Sequence, residues 1–424
     1  MKQSLVFLAI TLAATAAFPA WARDLTLADA ERLLAERSRE LIAARRAVET
    51  AGAQRTIAAV RPNPTLSLNT SSISSSPGTG PGALNQKRVD TVLRIDQPFE
   101  RGGKRELRMD AAEGLERAAR GDSLDVQRVL LAQLRGAYYD LKQAEEKVVI
   151  LGETAQLFGR TFAAAQARLK AGDLAAAEVA KVQVDHERSQ NDARAAQADL
   201  ARARIALGYL IGEDRSADEL RAVDPWPAPQ RPDAAAVERA IAQAAAGRPD
   251  VLAAKSRVAA AEKLRDLARS QQTRDITLGA QYERYPGNIP SDSIGFGISL
   301  PLFTGNDFSG DIQRAEVDRY AALDALARAR AVASNDIRRA ASDLAAASER
   351  LERYDSSLLD AAQRTALAVE FAFQRGATSV LEVLDARRTL RAVRLEALAA
   401  RTDHAKALAA WRASLTTAEM PGDK

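Results

Sequence analysis

Apolar residues recur at alternating intervals of three and four along two long stretches of the chain, 134–169 and 337–372. This spacing is typical of helices that pack along a supercoiled seam. Because large residues alternate with alanines in both stretches, neighbouring helices can approach each other closely. The pattern predicts two long helices, over about 104–171 and 308–375, and the first of them would extend about 100 Å at the rise of an α-helix.

Four shorter runs alternate between apolar and polar or small residues with a period of two, which predicts β-strands over about 64–72, 89–98, 275–284 and 293–302. Each run is close to the 9 to 11 residues that a tilted strand needs to cross a bilayer. A soluble sheet with one face on a helix is the alternative, but the loops between paired strands are rich in Gly, Pro and Ser, as external loops are. The candidates for contact with lipid are Leu66, Leu68, Leu93, Ile95, Ile276, Leu278, Tyr282, Ile294, Phe296 and Ile298.

The chain consists of two copies of one unit. The first helix of each copy, about 27–60 and 234–273, contains a related segment, LIAARRAV in one and VLAAKSRV in the other. Pro98 of the second strand corresponds to Pro301 after the fourth. In each copy two strands are followed by a long helix, a turn and a returning helix. The predicted parts are a first structural repeat at 23–212, a proline-rich linker at 213–233, a second repeat at 234–415 and a C-terminal tail at 416–424.

Each long helix ends at a glycine, after which the chain turns back. Gly172 and Gly376 can adopt the positive φ that ends a helix. His186 and His404 fall on the apolar stripes of the two returning helices. We interpret both histidines as packed against neighbouring helices, without a chemical role.

The N-terminal segment predicts export. MKQSLVFLAITLAATAAFPAWA combines Lys2, a short apolar stretch and a small-x-small end, which is typical of a signal peptide over 1–22. A membrane anchor is less favoured, because the apolar run is shorter than the roughly 20 residues of a spanning helix. An exported chain of this kind enters a membrane only as a closed barrel, and four strands are too few to enclose water. The pattern therefore predicts twelve strands, shared by three copies.

Composition narrows the chemistry further. The 60 basic and 56 acidic residues are interspersed, which favours solvated helix faces over a nucleic-acid surface. The absence of cysteine excludes disulfides, and with only two histidines and three methionines we do not expect a zinc or copper cage. The sequence has no nucleophile–base constellation and no phosphate loop. We therefore expect neither an enzyme nor a cofactor, and no metal site.

Across its whole mature length the sequence resembles the TolC family of outer-membrane efflux channels. The resemblance rests on the duplicated unit, on QPFERGGKRELR at 97–108 and on GATSVLEVLDA at 376–386. The ERGGKR segment is similar to the branch that exports heavy-metal cations of the cobalt-zinc-cadmium type. The resemblance implies a mostly α fold with four short strands: a homotrimer with a 12-stranded β-barrel in the cell outer membrane, joined to a long periplasmic α-helical barrel.

The resemblance also implies which residues act. Acidic rings in the lumen near the periplasmic gate would come from Glu178, Glu382 and Asp385, and a spacing of three puts the last two on one helical face. A solvated helix face is the alternative for all three. Relatives lock the tip with an Arg and a Tyr where this chain has Thr378 and Phe373, which makes such a latch doubtful. Residues implied to touch an adaptor are Gly172, Asp173, Leu174, Gly376, Ala377, Thr378 and Ser379.

The function implied is a passive export duct, driven by an inner-membrane proton-driven pump through a periplasmic adaptor (membrane fusion) protein, with heavy-metal cations among the candidate substrates. A periplasmic coiled-coil adaptor or structural protein is the alternative. Adaptors insert one helical hairpin into a β-rich chain, whereas here the hairpin occurs twice and strands are few.

Overall fold

Long helices dominate the chain, and the strands are short. The computed structural model describes residues 23–73, 75, 78–83, 86–214, 217–286 and 291–418, so the predicted signal peptide and most of the predicted C-terminal tail lie outside the described residues. The helices are α1 (Leu27–Arg37), α2 (Arg39–Ala58), α3 (Lys104–Lys170), α4 (Ala176–Ile211), α5 (Ala234–Gly247), α6 (Pro249–Ser270), α7 (Ser309–Arg353), α8 (Leu359–Gln374) and α9 (Val380–Ser414). The strands are β1 (Arg23–Leu25), β2 (Thr65–Ser71), β3 (Asp90–Phe99), β4 (Leu220–Ala222), β5 (Ile276–Tyr285) and β6 (Ser291–Ser299).

Contacts divide the chain into two units that cut across the predicted repeats. The helical unit contains the described residues up to Ser38, together with Leu131–Gln230 and Ala345–Ala409. The sheet unit contains Arg39–Leu130, Arg231–Leu344 and the described residues from Ala410 onwards. Each unit draws on both halves of the sequence. The two repeats are similar in sequence, whereas each unit consists of residues that contact one another and come from both repeats.

The sheet unit is built around four antiparallel strands in the order β2-β3-β5-β6. The central pairing, β3 with β5, joins one strand from each half of the sequence. Helices α5, α6 and α7 of this unit pack around an apolar core. Its buried members are Ala240, Ala244, Val251, Ala254, Val258, Leu326, Ala333 and Ile337.

The helix predicted over 234–273 is divided at Arg248. Pro249 opens α6, and Arg248 before it is extended, with φ −69° and ψ 137°. The Arg248 guanidinium is 1% exposed and lies 2.7 Å from Asp250 Oδ2 and 3.0 Å from Asp336 Oδ2. Two carboxylates compensate the buried charge, so this break fixes the start of α6 against α7.

In the helical unit, β1 and β4 form a parallel pair that the predicted four strands did not include. Both are three residues long. The buried Tyr138 hydroxyl lies 3.0 Å from Leu25 O and 2.7 Å from Asp224 Oδ2. It thus ties the end of β1 to the segment after β4. The prediction of a mostly helical chain with few strands is confirmed, with these two short strands added.

Candidate functional site

The two long helical hairpins turn with the same backbone geometry. At the first tip Gly172 has a φ of 82°, and Asp173 N donates to Arg168 O at 2.9 Å. At the second tip Gly376 has a φ of 75°, and Ala377 N donates to Ala372 O at 2.9 Å. Such bonds satisfy the last carbonyls of a helix and require the left-handed conformation that glycine adopts without strain.

The helices that leave the two tips begin differently. Ser379 precedes α9, and its Oγ accepts from Glu382 N at 3.3 Å, which is the geometry of a helix cap. Ala175 precedes α4 and offers no side-chain cap. The second tip therefore has a fixed starting point that the first lacks, and Glu382 lies in the first turn after it.

Just behind the tips, the two hairpins pack together. Helices α3, α4, α8 and α9 all contribute to one apolar cluster. Its buried members are Phe158, Ala165, Val179, Val182, Val380 and Leu384, with Phe162, Leu174 and Phe373 packed against them. Burial of this cluster holds both turns at one end of the helical unit.

Most of the residues predicted to touch an adaptor are exposed, namely Gly172, Asp173, Gly376, Ala377 and Ser379. Leu174 is half-buried because it packs on the apolar cluster. Thr378 is also half-buried, and its buried Oγ1 has no hydrogen-bond partner among the described residues. Leu174 and Thr378 are therefore less accessible to an adaptor than the other five predicted contact residues.

The structure brings two of the three predicted carboxylates together. Glu382 and Asp385 are exposed and line one groove between α8 and α9, with Thr365 and Thr389 beside them. Glu178 lies half-buried in the first turn of α4 and is not part of that groove. Within the described residues none of the three carboxylates has an ion-pair partner. The groove therefore contains two exposed carboxylates without an ion-pair partner among the described residues.

The sequence pattern did not identify a row of arginines on α9 as interacting residues. Four of them, within two turns, pair with acids on α3, α4 and α8: Arg387–Glu370, Arg388–Asp185, Arg391–Asp192 and Arg394–Glu153. The Arg387 pair is the most enclosed, with a side chain that is 9% exposed and two bonds of 2.6 and 2.7 Å. Their helical spacing was visible in the sequence, but three of their four partners lie 199 to 241 positions away along the chain. These pairs hold α9 against three other helices.

The four-stranded sheet has one apolar face that nothing in the described chain covers. The register places Leu66 beside Ile95 and Leu93 beside Tyr282. On the edge strand β6 the exposure is greatest, at 74% for Ile294 and 86% for Phe296. Edge strands β2 and β6 each pair with one neighbour. The opposite face carries polar side chains, among them Arg94 and Asp96.

The ERGGKR segment forms the junction between β3 and α3. Gly102 and Gly103 have φ values of 73° and 70°, which few other residues adopt. Lys104, almost fully buried, bonds Asp275 Oδ1 at 2.8 Å and Thr273 O at 2.9 Å. This motif therefore fixes the direction in which the long helix leaves the sheet.

Among the described residues, neither histidine belongs to a group of side chains that could hold a metal ion. His404 is fully buried, and the His186 ring stacks on Phe162 with 5.5 Å between centroids. In the part of the chain that the structure describes, no group of three potential ligands lies close enough to hold a metal ion. Over the same residues, no helix has the length and hydropathy to span a bilayer.

Known proteins share both the sequence pattern and the fold. Residues 32–213 and 240–417 match the family described as outer membrane efflux protein. The chain is 26% identical over 312 residues to the cobalt-zinc-cadmium resistance protein CzcC of Cupriavidus metallidurans, a match to 73% of this chain and 72% of CzcC. It superposes on the outer-membrane channel OprN with a TM-score of 0.75 and 21% identity, over 93% of this chain and 91% of OprN. For CusC the TM-score is 0.71 at 19% identity, over 92% of each chain.

Proposed function

The chain belongs to the outer membrane efflux protein family, and from this premise we propose that three copies of it close one passive export duct. Its place is the outer membrane, with an extension into the periplasm, and it acts as a channel component of an efflux system. The family match covers both repeats and decides against the alternative of a periplasmic adaptor.

The observation that carries the proposal is the two-faced sheet. The apolar face of the sheet includes the highly exposed side chain of Phe296. A face of this kind needs lipid or another apolar surface to cover it. The free edges of β2 and β6 need new strand partners. Three copies would join these edges into twelve strands, with the apolar face in lipid and the polar face around water.

We assign the helix tips to the periplasmic end of the duct, where an adaptor protein links it to an inner-membrane proton-driven pump. The exposed tip residues Gly172, Asp173, Gly376, Ala377 and Ser379 support this assignment. Energy for transport then comes from the pump, and the duct remains passive.

Glu382 and Asp385 are assigned to the lumen near the gate, with Glu178 as their counterpart on α4. Their lack of ion-pair partners within the described residues and the groove that the first two share support this role. Three copies would produce rings of carboxylates, which favour cations. Heavy-metal cations are the proposed substrates, because CzcC is a cobalt-zinc-cadmium resistance protein.

The test is conductance of the purified full-length protein in planar lipid bilayers. We expect single channels that prefer potassium over chloride. In the double variant Glu382→Gln, Asp385→Asn this preference should fall, because the carboxylate rings are neutralised. Glu36→Gln removes an exposed carboxylate from α1 and is the control. A protein that is monomeric in buffer without detergent and does not conduct would contradict the duct, and an unchanged ion preference would remove the two acids from the lumen.

A further inference from the structure

Three glycines on one face of the sheet leave a space there. Gly279 on β5 pairs with Asp96 on one side and with Gly297 of β6 on the other, and Gly295 is in the next row of the same polar face. Glycine weakens a strand, because it has no side chain to pack and loses the most conformational freedom on folding. Three of them at neighbouring positions therefore indicate that another group needs the space.

The side chain of Arg94 on β3 occupies it. Arg94 Nε lies 2.7 Å from Asp96 Oδ2, and Arg94 Nη1 lies 3.1 Å from Gln281 Oε1. A Cβ added to Gly279 would lie 2.8 Å from Arg94 Nη2 and would overlap Asp96 Oδ1. A Cβ added to Gly297 would lie 3.7 Å from Arg94 Nη2. The guanidinium thus lies flat across β5 and reaches β6.

Gly295 makes the matching space for Gln281, since a Cβ there would lie 3.1 Å from Gln281 Cγ. Gln281 in turn donates to Glu283, which also accepts from Ser293 Oγ at 3.2 Å. The polar side chains form one connected network against the sheet. Such a network holds each member in one orientation, because moving one leaves its neighbours without partners.

We propose that the glycine trough, formed by Gly279, Gly295 and Gly297, preserves the cation preference of the duct, because Gly279 leaves Arg94 the space to lie flat against the wall and pair with Asp96. This inference rests on the proposed function, in which the polar face lines the lumen. In that position the charge of Arg94 is cancelled and its side chain does not narrow the lumen. A side chain at position 279 would push the guanidinium off Asp96 and towards passing ions, once per copy.

The experiment is a set of single-channel measurements on the full-length protein in planar bilayers. Arg94→Ala should raise the potassium-over-chloride permeability ratio at least about fourfold, because one unit charge about 10 Å from an ion in water favours potassium and disfavours chloride by about twofold each. Gly279→Val should shift the ratio towards chloride and lower the conductance. Ala280→Val adds bulk at the adjacent position on the apolar face and is the control, with conductance unchanged.

The double variant Arg94→Ala, Gly279→Val tests whether the two positions act through one contact or independently of each other. If position 279 matters mainly because Arg94 needs the space, Gly279→Val has a much smaller effect on the ion preference once Arg94 is Ala, since only the contact with Asp96 Oδ1 then remains. Assembly of the double variant where Gly279→Val alone fails to assemble would support the trough as well. Equal shifts by Gly279→Val in both backgrounds overturn the inference, and so does an unchanged ion preference in Arg94→Ala. A wild-type protein that does not conduct refutes the proposed duct instead.

Discussion

His404 is the most unusual single residue of the helical unit. It is fully buried on α9, and within the described residues neither ring nitrogen has a hydrogen-bond partner. Burial lowers the pKa of His404, because the imidazolium would lose its hydration without gaining an acceptor. Its place on an apolar stripe was readable from the sequence, and so its packing could be predicted. The missing partners could not be, because they depend on which side chains of other helices face it.

This residue should make the protein acid-sensitive. An unfolded chain protonates His404 near its ordinary pKa of about 6.5, whereas the folded chain resists protonation until lower pH. Stability contributed by the neutral ring is therefore complete above about pH 6.5 and is lost as the pH falls through the folded-state pKa. We expect His404→Leu to reduce the drop in melting temperature between pH 8 and pH 5, measured in detergent. His186→Leu replaces the other histidine and is the control: an equal reduction of the drop in that variant would mean that the effect is not specific to His404. An equal drop in wild type and His404→Leu would contradict the assignment.

At the scale of elements, the sequence predicted where helices and strands occur better than where helices break. Arg248 precedes a proline, and residues before proline avoid the helical conformation, so that break had a visible signal. The break at Ser38 between α1 and α2 had a weaker signal, since neither glycine nor proline is near and only the serine, a common N-cap residue, marks the start of α2. The second long helix is interrupted by a π-helical turn, Tyr354–Leu358, which leaves the apolar spacing nearly intact. Breaks of these last two kinds depend on packing and are not visible in a periodic pattern.

Two glycines, one at a helix tip and one inside a helix, are expected to change the stability of the protein in opposite directions when replaced by alanine. Gly376→Ala should destabilise the protein by about 1 kcal/mol, because a Cβ is disfavoured at the φ of 75° found there. Gly152→Ala, inside α3 with no atom near the added Cβ, should stabilise it by about 1 kcal/mol. Thermal unfolding of the purified variants in detergent measures both. Shifts of the same sign would mean that the tip does not depend on the backbone conformation of Gly376.

At the scale of the whole molecule, the sequence repeat predicts which strands and helices occur but not how those of the two halves pair with each other. Two equivalent pairs of strands were visible in the sequence, yet pairing β3 with β5 joins the halves in a way that the repeat does not specify. The same holds for Arg388 and Asp185, which pair across 203 positions of the chain. Alternation did identify the exposed face of the sheet, because side chains in a strand point to opposite sides in turn. Among the described residues nothing covers that face, and the pattern within one copy does not specify what does.

The proposed contact between copies can be tested directly by disulfide cross-linking, because the chain contains no cysteine. In a closed barrel β6 of one copy pairs with β2 of the next, so polar-face residues of both strands meet there. We expect Ser67→Cys, combined in turn with Ser293→Cys, Gly295→Cys or Gly297→Cys, to give oxidised species of two and three chains on a non-reducing gel for at least one combination. Leu68→Cys with the same partners should stay monomeric, because Leu68 is on the opposite face. If every polar-face combination stays monomeric in detergent and in membranes, the edges of the sheet do not meet and the shared barrel is wrong.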